Sequence, residues 1–167
     1  MRHGVVIHGC GLDEISPLGP SQVISPPHRQ PCPTLPSADR SCLLSQVIEL
    51  KRLDDSGTYA VSRYTFDPLS VGVARCSLED LRGGRSIAEN AEMLREVLRV
   101  ADADADRDSP AMAARRDAVV LNAGFGCYVY GLSASIGEGV ALARKVLLEQ
   151  RAFAKLDDWV RVAPAVR

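Results

Sequence analysis

The chain has no paired cysteines, no long apolar run, almost no net charge and few histidines, and each shortage closes off a class of function. Its five cysteines (Cys10, Cys32, Cys42, Cys76, Cys127) form an odd set without a Cys-x-x-Cys pair. That argues against a disulfide framework and against a zinc cluster. Cys10 in a glycine loop and Cys127 in an expected helix read as packing residues rather than nucleophiles. His3, His8 and His28 have no partners at metal-ligand spacing. No apolar stretch approaches the roughly 18 residues that cross a bilayer, and Met1-Arg2-His3-Gly4 with three apolar residues behind it is too short for a signal peptide. An intracellular protein is expected. The formal net charge of −1 gives no electrostatic reason to expect nucleic acid or a membrane surface as partner.

What is present suits one globular domain: 167 residues, 46% of them apolar and 25% charged, enough to bury a real core. The chain is organised around Val5-Val6-Ile7-His8-Gly9-Cys10-Gly11-Leu12-Asp13-Glu14-Ile15-Ser16. Three consecutive β-branched residues predict a strand covered on both faces. Gly9 and Gly11 then let the chain turn. Asp13 and Glu14 follow at the strand's carboxyl end, where open α/β sheets place their ligands. Two adjacent carboxylates suit Mg²⁺, which prefers oxygen ligands and often takes one or two carboxylates together with substrate phosphates. On an extended strand neighbouring side chains point apart, so the pair serves one site only from a turn or through water. The same dipeptide also suits a solvated charge pair at a helix start.

Further along, Val47–Leu53 and Thr58–Phe66 flank Asp54-Asp55-Ser56-Gly57 and predict a β-hairpin. Ser77-Leu78-Glu79-Asp80 predicts a short capped helix stopped by Gly83-Gly84. That glycine pair reads as structural, since phosphate cradling also needs helix N-terminal amides aimed at the phosphate. Ser86-Ile87-Ala88-Glu89 is a capping box opening a helix to about Ala101, whose stripe of Ile87, Ala91, Leu94, Val97 or Leu98, and Ala101 should face the core. The acidic run Asp102 to Asp108 fails as a calcium loop, because Arg107 stands where glycine is required and Ala113 where the twelfth-position acid belongs. A second helix is expected over 111–131, with Gly124 and Gly126 marking close packing and Asn122 as an internal brace. Ser135-Ile136-Gly137-Glu138 opens a third helix to about Gln150. Arg151 to Val162 makes an amphipathic last helix with Phe153, Leu156, Trp159 and Val160 as anchors. Strand, hairpin and four helices describe half of an α/β domain, with Val5–Ile7 left at an unpaired edge.

The ordered set of segments resembles a known family. Val6-Ile7-His8-Gly9-Cys10-Gly11-Leu12-Asp13-Glu14-Ile15-Ser16 is similar to the V-V-H-G-x-x-G-x-D-E segment of anthranilate phosphoribosyltransferases, enzymes of tryptophan biosynthesis. Leu81-Arg82-Gly83-Gly84 with Glu89-Asn90 resembles their L-x-G-G-x-x-x-E-N-A segment, and Asp117 to Ala123 resembles their D-x-V-x-L-N-A helix. Gly137 to Ala143 and Ala154-Lys155-Leu156 resemble their C-terminal helices. The resemblance implies a partial catalytic α/β domain of the nucleoside phosphorylase and phosphoribosyltransferase kind, a β-hairpin plus about four C-terminal helices, with the N-terminal helical domain missing. It implies Mg²⁺ held by Asp13 and Glu14, anthranilate and 5-phosphoribosyl pyrophosphate as substrates of the complete enzyme, a homodimer, and a cytoplasmic location (plastid stroma in a photosynthetic eukaryote). It nominates no catalytic side chain, and no general base is visible.

The family's G-T-G-G-D phosphate loop, K-H-G-N segment and anthranilate-contacting arginine are not found, so residues 1–167 read as a C-terminal portion, inactive alone. The alternatives are a non-catalytic remnant or interaction module and, more distantly, a nucleoside phosphorylase, against which the Asp-Glu motif speaks. One stretch is foreign to the pattern. Residues 25–37 hold five prolines, and Ser21-Gln22-Val23-Ile24 recurs as Ser45-Gln46-Val47-Ile48. Removing 25–48 joins Ile24 to Glu49-Leu50 and restores the family's strand. A disordered insertion at 25–48 is therefore expected, either a retained intron or a divergent loop.

Overall fold

In the computed structural model, residues 2–8, 12, 14–18, 45–99 and 109–163 are described. Three strands, β1 (His3–His8), β2 (Ser45–Arg52) and β3 (Tyr59–Phe66), form an antiparallel sheet in the order β1-β2-β3. The β2–β3 turn is made by its sequence. Asp54 Oδ1 accepts from the Ser56 and Thr58 amides at 3.0 and 3.2 Å and from the Ser56 hydroxyl at 2.6 Å, while Gly57 takes a φ of 91° that a side chain would resist.

Four helices follow: α1 (Ile87–Leu98), α2 (Pro110–Tyr130), α3 (Ile136–Leu148) and α4 (Arg151–Val162). Each of the first three starts on a serine whose hydroxyl accepts an amide three residues on: Ser86 from Glu89, Ser109 from Met112, Ser135 from Glu138. The two expected boxes close one residue further out than the standard form, since Glu89 and Glu138 accept from Arg85 N and Ala134 N. Helix α2 ends on Gly131 at φ 87°, its amide bonded back to Tyr128.

The core lies between one sheet face and α2–α3. Val47 and Phe66 from the sheet meet Val120, Leu121, Phe125, Val140 and Leu147, and Phe66 packs edge-on to Phe125 at 4.8 Å between centroids. Helices α2 and α3 approach until backbones touch. A Cβ on Gly124 would lie 2.7 Å from Val140 N, and one on Gly139 would collide with the Gly124 carbonyl oxygen. The close packing expected at Gly124 is thus present; at Gly126 it is not, for that position faces open space.

Several expectations are corrected. Strand β1 is not buried on both faces: Val5 and Ile7 pack on the core, but Val6 is 60% exposed on the helix-free side. Its partner is antiparallel, with Val6 opposite Ile48, and its other edge carries no strand among the described residues. Ser77–Asp80 closes a reciprocal hydrogen-bonded turn rather than a helix, with the Asp80 carboxylate taking both the Ser77 amide and hydroxyl. Helix α1 stops at Leu98, and of its expected stripe Ile87 is 90% and Leu94 44% exposed while Val97 is buried. On α4, Phe153 and Leu156 are half-buried but Trp159 (65% exposed) and Val160 face out. The expected disordered insertion at 25–48 fails for its last four residues. Ser45–Ile48 are the first half of β2, with Val47 in the core. The second copy of the tetrapeptide fills the strand because it runs straight into Glu49–Arg52 without a chain joint. Residues 25–44 and the acidic run 102–108 lie outside the described residues.

Candidate functional site

Glu14 is exposed, and the four residues after it plunge into the protein: Ile15, Ser16, Pro17 and Leu18 are all buried. Three contacts fasten this descent. The Asn122 side-chain amide donates to the Ile15 carbonyl at 2.9 Å, the Leu18 amide donates to Ser16 Oγ at 3.1 Å, and the Cys76 amide donates to the Pro17 carbonyl at 2.9 Å. No described residue hydrogen-bonds to or ion-pairs with the Glu14 carboxylate itself. The expected bracing role of Asn122 is therefore observed, and it braces the segment that carries Glu14. Asp13, together with Cys10, Cys32, Cys42 and His28, lies outside the described residues.

A groove of about 440 Å³ between α1 and α2 is lined by Glu14, by Leu81, by Met93, Leu94 and Val97 of α1, and by Arg115, Ala118, Val119 and Asn122 of α2. Arg115 donates to the Arg82 carbonyl at 3.0 Å, and its buried Nε has no hydrogen-bond partner among the described residues. The lining is mostly apolar, with the Glu14 carboxylate and the Arg115 guanidinium as its one anion and one cation among the described residues; an exposed carboxylate oxygen can serve a hard dication, and an arginine an anionic ligand. Among the described residues no group of three or more His, Cys, Asp or Glu side chains is placed to hold a metal, so a dication here would keep waters or ligand oxygens. Gly83-Gly84 is drawn onto the start of α1: the Gly84 amide donates to Asn90 Oδ1 at 2.8 Å.

A second polar cluster was not read from the sequence. Glu49, only 7% exposed, accepts from Tyr128 OH and His3 Nε2 at 2.7 Å each and from Lys51 Nζ at 3.0 Å. Lys51 Nζ also donates to Tyr128 OH at 2.7 Å. Burial pushes the Glu49 carboxyl up, but hydrogen bonds from Tyr128, Lys51 and His3 outweigh it and hold it below its ordinary value. The Lys51 ammonium is raised by Tyr128 and then Glu49. The signal was available: Val47, Glu49 and Lys51 share one strand face, so a carboxylate sits in phase with a core valine. This network lies by His3, at the start of β1, whereas Glu14 follows its far end. Cys76 is no nucleophile. Burial, then Asp80 and Asp117, push its thiol up to about 11, leaving little thiolate near neutrality. Cys127 is half-buried within α2.

Comparison with known proteins places this arrangement. Residues 42–153 match the glycosyl transferase family, a/b domain, and the chain belongs to that family. Within it, the relatives are anthranilate phosphoribosyltransferases. The enzyme of that name from Mesorhizobium japonicum is 30% identical over 97% of this chain and 36% of its own length. The one from Streptococcus sanguinis is 42% identical over 58% of this chain and 25% of its own. The crystal structure of anthranilate phosphoribosyltransferase (TrpD) from Thermus thermophilus superposes with a TM-score of 0.63 at 31% identity, over 95% of this chain and 35% of that one. The chain thus spans about a third of that structure and of the Mesorhizobium relative, and its sheet and four helices correspond to part of their α/β domain. The family match begins downstream of Asp13 and Glu14. No helix among the described residues is long and apolar enough to cross a membrane.

Proposed function

We propose that this chain supplies the metal-holding part of a phosphoribosyltransferase α/β domain, with Asp13 and Glu14 as the Mg²⁺ ligands. In the reaction implied, the amine nitrogen of anthranilate bonds to C1 of 5-phosphoribosyl pyrophosphate as the C1–O bond to pyrophosphate breaks, and the amine gives up a proton. Negative charge grows on the departing diphosphate. A bound Mg²⁺ supplies neutralisation of that charge and orientation of the leaving group. The chain's own contribution is to anchor the backbone beside Glu14, whose carboxylate faces solvent. The observation that carries this reading is the exposed Glu14 carboxylate, unengaged among the described residues, standing one residue from a clamped, buried segment. The donor chemistry fits the ion: a carboxylate oxygen at an exposed position with room for water. The cytoplasm and a homodimer, with no nucleic-acid or membrane partner, complete the reading.

The test is titration calorimetry of the chain with Mg²⁺ in the presence of inorganic pyrophosphate. The parent should bind the pair, and replacing Asp13 and Glu14 by Asn and Gln should abolish the metal-dependent heat. Unchanged binding in that double variant refutes the assignment. A second reading, a non-catalytic interaction module of the same family, is favoured by one observation: no G-T-G-G-D phosphate loop occurs within these residues. Mixing the chain with a family segment that carries such a loop separates the two, because only the first predicts phosphoribosyl transfer by the mixture.

A further inference from the structure

We propose that Asn122 is a positioning residue for Glu14, setting where the carboxylate stands through the backbone rather than by touching it. The inference rests on the metal reading of Glu14. The Asn122 carboxamide nitrogen has two N–H groups, and both are spent. One donates to the Ala118 carbonyl on the preceding turn of α2 at 2.9 Å, which fixes the side-chain rotamer. The other crosses to the Ile15 carbonyl, also at 2.9 Å, linking residues 107 apart in sequence. Ile15 is fully buried, so its carbonyl needs a partner there, and Asn122 provides it from α2.

The consequence for Glu14 is mechanical. Its peptide is continuous with the clamped Ile15, and the next anchors, the Ser16–Leu18 turn and the Cys76–Pro17 bond, hold the chain beyond. Glu14 itself has no side-chain partner among the described residues, so the point from which its carboxylate reaches is set by this backbone alone. Outer groups that orient a metal ligand commonly contribute a factor of about 10–100 in metal affinity. A hydroxyl cannot replace the amide, since serine on a helix back-bonds to the carbonyl four residues earlier and has no second donor.

The experiment uses the full chain with Mn²⁺ as the probe and inorganic pyrophosphate as co-ligand, reading free Mn²⁺ by its paramagnetic resonance alongside the melting temperature. Asn122→Ala and Asn122→Ser should each weaken Mn²⁺ binding about tenfold or more. The serine variant retains the bond to Ala118 and so keeps the helix intact if alanine impairs folding. Tyr128→Phe, which removes a donor from the Glu49 network by His3 and lies outside the core cluster that holds Ile15, should lower the melting temperature and leave Mn²⁺ affinity as in the parent. Parental affinity in the serine variant, or equal weakening by Tyr128→Phe, overturns the proposal. Glu14→Gln distinguishes the two levels: if it loses Mn²⁺ while the Asn122 variants keep it, only the positioning role falls. If Glu14→Gln binds like the parent, the metal reading fails and takes the positioning role with it.

Discussion

The two flanks of α2 are built on different principles. Toward α3 and the sheet, glycine backbones touch, Val120, Leu121 and Phe125 are buried, and Tyr128 closes a network around Glu49. Toward α1, the contacts are polar and sparse. Arg116 donates to the carbonyls of Glu96, Val97 and Arg99 at 3.2 to 3.4 Å, satisfying the open C-terminal end of α1, and Arg115 holds the Arg82 carbonyl. Of α1 only Val97 is buried. A groove stays open on this side, and Glu14 stands at its edge. One flank holds the fold together; the other leaves room for a ligand.

The closed flank is broken most severely at its tightest point. Gly139→Ala puts a methyl against the Gly124 carbonyl oxygen, a backbone atom that cannot swing aside. Alanine gains about 1 kcal/mol of helix propensity, but overpacking of this kind costs up to about 3 kcal/mol or more, so net destabilisation of about 2 kcal/mol is expected in urea unfolding. The same change at Gly126, which meets nothing, should instead stabilise by up to about 1 kcal/mol. If the two substitutions behave alike, α2 and α3 are not in the contact described.

The next effect is electrostatic. Tyr128→Phe removes a donor from the buried Glu49 carboxylate, at a cost of about 1.5 kcal/mol near pH 7. Its pH dependence has a definite sign. Glu49 is depressed in the folded chain, so its contribution is present above the ordinary glutamate value and is lost as pH falls through the lower folded value. Without Tyr128 the folded value moves back towards the ordinary one, so the variant has less stability to lose on acidification, and the gap between parent and variant should shrink as pH falls below the ordinary glutamate value. A gap in urea melts that stays constant with pH would mean that the network does not favour the ionised carboxylate.

Much of this was legible in local sequence, because local chemistry decides it. Asp54 through Gly57 dictated the hairpin, Ser86 and Ser135 marked helix starts, and Gly124 announced a close approach. The losses came wherever a neighbour's reach mattered. Ile87 keeps helical spacing with Val97, yet at the first position of α1 it lies beyond the packed part of α2. Val5–Ile7 carry the composition of a doubly covered strand, but among the described residues helices lie on one side only. The second Ser-Gln-Val-Ile copy reads locally as part of the insertion, yet it forms the first half of β2. The burial of Glu49 and its neighbour Lys51 could be read from their phase with Val47, but its other partners, His3 and Tyr128, come from 46 and 79 residues away, a distance that no window along the chain spans. Of the candidate site, the sequence offered Asp13 and Glu14 as residue types and Asn122 as a brace; the brace is observed, and the groove beside Glu14 was not read.

The smallest expected effect tests the open flank. Glu14→Gln removes a carboxylate that no described side chain or backbone group engages, at an exposed position. Substitutions of that kind shift stability by no more than about 0.5 kcal/mol, so the variant should melt with the parent. Coupled with loss of metal binding, an unchanged melt separates what Glu14 does from what holds the chain folded. A drop comparable to that of Tyr128→Phe would mean that Glu14 is tied into the fold after all, and the contrast between the two sides of α2 would then be one of degree.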